Sequence, residues 1–129
     1  MEEVKMKLST LKEEYGVCRL QPDAVLPEWA MAGAFYTVSK TYEELSIVCE
    51  SSLIPNGIRA EMGWRVIKVE GPLDFALVGI LASLSGTLAD RGVSIFAVST
   101  FDTDYLLVKE KEYKNAVEAL RDVGHTVLE

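Results

Sequence analysis

Trp64-Arg65-Val66-Ile67-Lys68-Val69-Glu70-Gly71-Pro72-Leu73-Asp74-Phe75-Ala76-Leu77-Val78-Gly79-Ile80-Leu81 changes its periodicity at the centre. The stretch Trp64 to Val69 is rich in β-branched side chains and runs into Gly71-Pro72, which reads as a strand ending at a break. Beyond the break, Leu77, Leu81, Leu84 and Leu88 are spaced by four, three and four. That spacing predicts a helix from Asp74 to about Arg91 with the four leucines on one face. Pro72 before it and Gly92 after it suit the two helix ends. Val93 to Thr100 is again β-branched and aromatic, Asp102-Thr103-Asp104 makes a polar break, and Tyr105 to Val108 resumes the strand pattern. Tyr113, Ala116, Val117 and Leu120 recur at helical spacing, Gly124 stops that run, and His125 to Leu128 forms a last strand. The order is β-α-β-β-α-β, the split arrangement that gives an antiparallel four-stranded sheet with both helices on one face. Its other face is expected to be open.

The first half is less regular. Val4 to Leu11 and Tyr15 to Leu20 read as strands, Pro27 to Met31 as a short helical turn, and Phe35 to Lys40 and Leu45 to Cys49 as a further pair of strands. Pro55, Asn56-Gly57 and Gly63 interrupt the segment that follows, so no long second helix is available there. The first half is thus a reduced relative of the second, with the boundary expected between Gly57 and Trp64. The fold class is α+β: ferredoxin-like βαββαβ modules in tandem over residues 1–60 and 61–129, the N-terminal one degenerate.

Composition narrows the function. The chain has 129 residues, 49% hydrophobic and 26% charged, long enough to bury a core without a disulfide or a structural metal. Asp and Glu number 20 against 13 Lys and Arg, and the net charge of −7 argues against a nucleic-acid groove or an anionic membrane surface as partner. No run approaches the roughly 18 apolar residues of a membrane span, and Met1 to Lys7 lacks a signal-peptide core, so a cytoplasmic location is expected. Cys18 and Cys49 lack the close Cys/His spacing of metal sites and are expected to be buried free thiols. No cofactor, no metal and no catalytic residue is expected. His125, the only histidine, has no nucleophile and acid to complete a set and reads as a packing or surface residue.

Several positions could serve a ligand. The break at Gly71-Pro72-Leu73-Asp74 places backbone N–H groups at a helix start, where the macrodipole favours a carboxylate; the alternative is an ordinary helix start capped by Asp74. Gly79 falls inside the expected helix, at a cost of roughly 1 kcal/mol relative to Ala, so either close packing or ligand clearance needs the missing side chain. Asp102 and Asp104 fit a turn role, an ammonium-binding role, or a metal or acid/base role.

The stretch Glu70 to Leu81, with Ser94-Ile95-Phe96-Ala97-Val98-Ser99-Thr100-Phe101-Asp102-Thr103-Asp104-Tyr105 after it, closely resembles the ACT-domain family. More narrowly it looks like small tandem ACT proteins of bacteria, related to the ACT modules of animal cytosolic arginine sensors. The strong match runs from about Trp64 to Gly124, and Cys18-Arg19-Leu20 with Leu45-Ser46-Ile47-Val48-Cys49 looks like the family's degenerate first module. ACT modules generally bind free amino acids at paired interfaces and often regulate larger enzymes. The resemblance therefore implies a non-catalytic amino-acid-binding regulatory or allosteric sensor, a homodimer, and a regulated protein partner not named by the sequence. Names such as aspartate kinase in this family would be inherited, since the chain has no Gly-rich phosphate loop. The alternative is an assembly module with a vestigial pocket. The resemblance carries ligand contacts onto Thr100, Phe101 and Asp104, with Asp104 the partner of an ammonium or guanidinium. Together with Leu73, Asp74, Phe75 and Gly79 these form the expected site.

Overall fold

The computed structural model describes residues 5–71 and 79–129. Its elements are β1 (Lys7–Leu20), β2 (Thr37–Lys40), β3 (Leu45–Glu50), β4 (Ala60–Val69), α1 (Ile80–Asp90), β5 (Phe96–Ser99), β6 (Asp104–Lys109), α2 (Glu110–Asp122) and β7 (Thr126–Leu128). The chain divides into two compact units, Met1–Lys12 with Arg65–Glu129, and Glu13–Trp64.

In the first of these units the strand order is β7-β1-β4-β6-β5, with α1 leading from β4 to β5 and α2 from β6 to β7. This is the ferredoxin-like arrangement with one addition: the start of β1 lies between β7 and β4. β1 pairs with β7 in parallel, Lys7↔Thr126 to Ser9↔Leu128, whereas β5 and β6 are antiparallel. Polar bonds hold the added strand. Glu70 N–H donates to Lys7 C=O at 2.8 Å, Thr126 N–H to Met6 C=O at 3.0 Å, and Tyr113 O–H to Thr10 Oγ1 at 3.0 Å. Met6 N–H donates to Nδ1 of the buried His125 at 2.9 Å, so the histidine is a packing residue that fixes β1 to the turn before β7.

Alternation along the strands sends Leu8, Ile67, Val69, Leu106 and Val108 to the side where Leu84 and Leu88 of α1 and Ala116, Val117, Ala119 and Leu120 of α2 are buried, so both helices cover one face. Leu81 is only partly buried at the margin of that cluster, and Leu77 lies outside the described residues. The expected open face is not found: Val66 and Leu107, which alternate away from the helices, are fully buried. Apolar side chains on both faces of β4 and β6 require cover on both.

The unit Glu13–Trp64 has the order β2-β3-β1-β4. β1 and β3 pair antiparallel from Tyr15↔Glu50 to Leu20↔Leu45, and β2 and β3 from Thr37↔Val48 to Lys40↔Leu45. Its core gathers Cys18, Ala30, Leu45, Ile47 and Cys49, with Trp29 and Ile54 against them. Short 3-10 turns at Glu28–Met31 and Ser51–Leu53 stand where a full module would have helices, in keeping with the glycines and prolines of those segments. The two strands expected before Leu20 are a single strand. Lys12, Glu13 and Glu14 are exposed at its middle, so their charge does not break the ladder. Both cysteines are buried and free. They occupy diagonal positions of the β1/β3 pair, with their thiols hydrogen-bonded to each other, and burial pushes Cys18 up and Cys49 to about 12. Burial likewise pushes Tyr15 up to about 12, helped by the carboxylates of Glu50 and Glu13. No helix among the described residues is long and apolar enough to cross a membrane.

Candidate functional site

β5 and β6 form a hairpin whose last paired residues are Ser99 and Asp104. Between them Thr100-Phe101-Asp102-Thr103 makes a tight turn closed from both sides. Thr100 N–H donates to Thr103 C=O at 2.8 Å, Thr100 Oγ1–H donates to the same carbonyl at 3.0 Å, and Thr103 N–H donates to Thr100 Oγ1 at 3.3 Å. A threonine suits this place because its hydroxyl can stand in for a backbone group in a turn. The closed turn displays Phe101, 81% exposed, at its tip.

Asp104 follows at once. Its Oδ1 accepts a hydrogen bond from Ser99 Oγ at 2.5 Å across the hairpin, which orients the carboxylate while leaving it partly exposed. Such a carboxylate can receive an ammonium or guanidinium through its remaining acceptor positions. Thr103 ties the turn to the neighbouring strand: it is 6% exposed, and its Oγ1–H donates to Val69 C=O at 2.5 Å. The turn is thus held at the end of β4. There the Glu70 carboxylate accepts from Ser9 Oγ and lies 3.9 Å from Lys68 Nζ.

The structure therefore brings Thr100, Phe101 and Asp104 together in one hairpin turn. Leu73, Asp74 and Phe75 lie outside the described residues. Gly79 is not inside a helix, as its spacing had suggested, but is the residue before α1, in the left-handed region at φ 80°. Among the described residues, a Cβ built there would meet nothing within 4 Å. The requirement for glycine is thus backbone conformation rather than space, because an L side chain is disfavoured at that φ. Among the described residues no cluster of three or more His, Cys, Asp or Glu side chains is placed to hold a metal ion.

Sequence reasoning missed Thr103, taking it as the middle of a polar break. A signal was available: Thr41-Tyr42-Glu43-Glu44, between β2 and β3, repeats the pattern threonine, aromatic, acid found in Thr100-Phe101-Asp102. Comparing the two would have shown Thr103 and Asp104 standing where the first hairpin has Glu44 and Leu45.

A split β-α-β-β-α-β sheet with both helices on one face places the chain in the class of small ferredoxin-like α+β modules. The chain is a member of the ACT-domain family: the family model of the ACT domain matches residues 59–122, and a second model, described as an N-terminal domain, matches residues 13–57. The cytosolic arginine sensor for mTORC1 subunit 1 of Bos taurus is 32% identical over 97 residues, 68% of this chain. The human protein of that name is 37% identical over 59 residues, 45% of this chain. The chain spans 29% and 18% of the length of these two relatives. An X-ray crystal structure of a protein from Agrobacterium tumefaciens superposes with a TM-score of 0.92 at 38% identity, covering 98% of this chain and 94% of that one. The ligand-free regulatory subunit of aspartate kinase from Thermus thermophilus shares the fold, with a TM-score of 0.60 at 10% identity over 87% of this chain and 93% of that one.

Proposed function

We propose that this chain is a non-catalytic amino-acid sensor of the regulatory kind. Its ligand's ammonium or guanidinium meets Asp104, and its carboxylate meets the backbone N–H groups of Leu73 to Phe75. The observation that carries the reading is the partly exposed Asp104 carboxylate, oriented by Ser99 beside a turn closed by Thr100. Phe101 and Gly79 complete the site, as a wall and as the residue that leads into α1. The unit Glu13–Trp64 is the degenerate module, because its hairpin carries the buried Leu45 where the other has Asp104. The similarity to a protein named as an arginine sensor makes L-arginine the first ligand to test. The chain acts in the cytoplasm without a cofactor, as a homodimer that regulates a protein partner. The short edge strands β2 and β5 are the features through which copies would pair.

A melting-temperature screen with the twenty amino acids tests this reading, because a ligand at a hundred times its dissociation constant stabilises the folded chain by about 2.7 kcal/mol. Calorimetry then compares wild type with Asp104→Asn. Removing the charge should weaken binding roughly thirtyfold or more, as expected for breaking one side of a partly desolvated pair, with the fold intact. An unchanged dissociation constant with a lowered melting temperature would remove Asp104 from the site. Light scattering that returns the mass of one chain, 14.3 kDa, at all concentrations would remove the dimer.

A further inference from the structure

The chain contains an internal control for its hairpin turn. In the unit Glu13–Trp64, Thr41-Tyr42-Glu43-Glu44 repeats the bonding of Thr100-Phe101-Asp102-Thr103. Thr41 N–H donates to Glu44 C=O at 2.9 Å, and Glu44 N–H donates to Thr41 Oγ1 at 3.1 Å. The aromatic at the tip is exposed in both, Tyr42 as fully as Phe101 is nearly so. The fourth position separates them: Glu44 is partly exposed, whereas Thr103 is buried. Since Glu44 closes its turn equally well, a buried threonine hydroxyl is not needed to make this turn.

That hydroxyl does something else. It donates to the carbonyl of Val69, the last residue of β4, and so joins the turn to the end of that strand by a buried hydrogen bond. The first turn is also tied to its neighbouring strand, but by the long Arg19 side chain, whose guanidinium donates to Glu43 C=O at 2.8 Å on the surface. A threonine has one χ angle with few allowed values, so its bond fixes the turn far more tightly than an arginine reaching across the surface.

We infer that Thr103 is a positioning residue for the amino-acid site: its hydroxyl locks the turn that carries Thr100, Phe101 and Asp104 against the end of β4. The inference rests on the amino-acid-binding reading of that turn. It adds that the carboxylate for the ligand's cation is held in place through one buried bond between its turn and the neighbouring strand. Asp104 is the next residue in the chain, so a loosened Thr103 must be re-ordered whenever a ligand binds, and affinity falls accordingly.

The test is calorimetry on the whole chain with L-arginine first and then each amino acid that raises the melting temperature, using wild type, Thr103→Val, Thr103→Ser and Asp104→Asn. All are measured well below every melting midpoint. Thr103→Val should weaken binding about tenfold, the equivalent of one buried hydrogen bond. Thr103→Ser, which keeps the hydroxyl, should stay within about threefold of wild type, a margin that allows for the freer χ1 rotation of serine. Thr103→Ala replaces the valine variant if that one does not fold. Affinity kept in Thr103→Val while Asp104→Asn loses it would overturn the positioning role and leave the site standing, as would equal losses in the valine and serine variants. Affinity kept in Asp104→Asn, or a wild type that binds none of the twenty, would overturn the site reading and this inference with it.

Discussion

Gly79 and Gly86 offer a test in which the sequence pattern and the tertiary structure differ in sign. Both fall within the helix that the leucine spacing predicts, and glycine within a helix costs up to about 1 kcal/mol relative to alanine. Were both helical, both alanine variants would be more stable. In the structure only Gly86 lies in α1, and a Cβ there meets nothing within 4 Å. Gly86→Ala should therefore raise stability by about 1 kcal/mol. Gly79 stands before α1 at φ 80°, with no described residue within 4 Å of an added Cβ. There alanine meets a left-handed penalty of about 1 to 2 kcal/mol, offset in part by the entropy it removes from the unfolded chain, for a net loss of about 1 kcal/mol. At this chain length each change corresponds to roughly 4 °C in melting midpoint, in opposite directions. Asparagine, which visits the left-handed region more readily, should cost less than alanine at position 79. Circular dichroism melts of the three variants beside wild type decide the matter. A higher midpoint for Gly79→Ala would mean that residue 79 is helical and that the conformational reason given for its glycine is wrong.

The faces of α1 can be ranked in the same way. Leu84→Ala should cost about 2 to 5 kcal/mol by urea denaturation, because Leu84 is fully buried, and Leu81→Ala should cost clearly less; equal losses would mean the helix is rotated. At alkaline pH, Tyr15 and Cys49 ionise first in the unfolded chain, near 10.0 and 9.0, because burial holds both at about 12 in the folded state. Their contribution to stability is therefore fully present below pH 9 and is lost as the pH rises towards 12. Melting midpoints measured across that window should fall, and less steeply in Tyr15→Phe. A flat profile in wild type would contradict the burial of both groups.

Much of the C-terminal module was legible in the sequence because its signals are local. The β-branched run at Val66 to Val69, the recurrence of Leu84 and Leu88, and the helical spacing of Ala116, Val117 and Leu120 each reflect the period of a single element, and the observed elements follow them. The candidate site was partly legible for a like reason: Thr100, Phe101 and Asp104 are near neighbours in one turn, so the turn alone brings them together. Three features escaped local reading. The placement of β1 between β7 and β4 depends on pairing between residues at opposite ends of the chain, which no window of sequence contains. The burial of Val66 and Leu107 away from the helices depends on what covers a sheet, whereas alternation reports only that a strand has two faces. The work of Thr103 depends on Val69, whose carbonyl looks like any other in sequence and becomes a specific partner only where the hairpin meets the end of β4. Side-chain periodicity belongs to the element, but the partner of a buried polar group is chosen by the packing of elements distant in sequence.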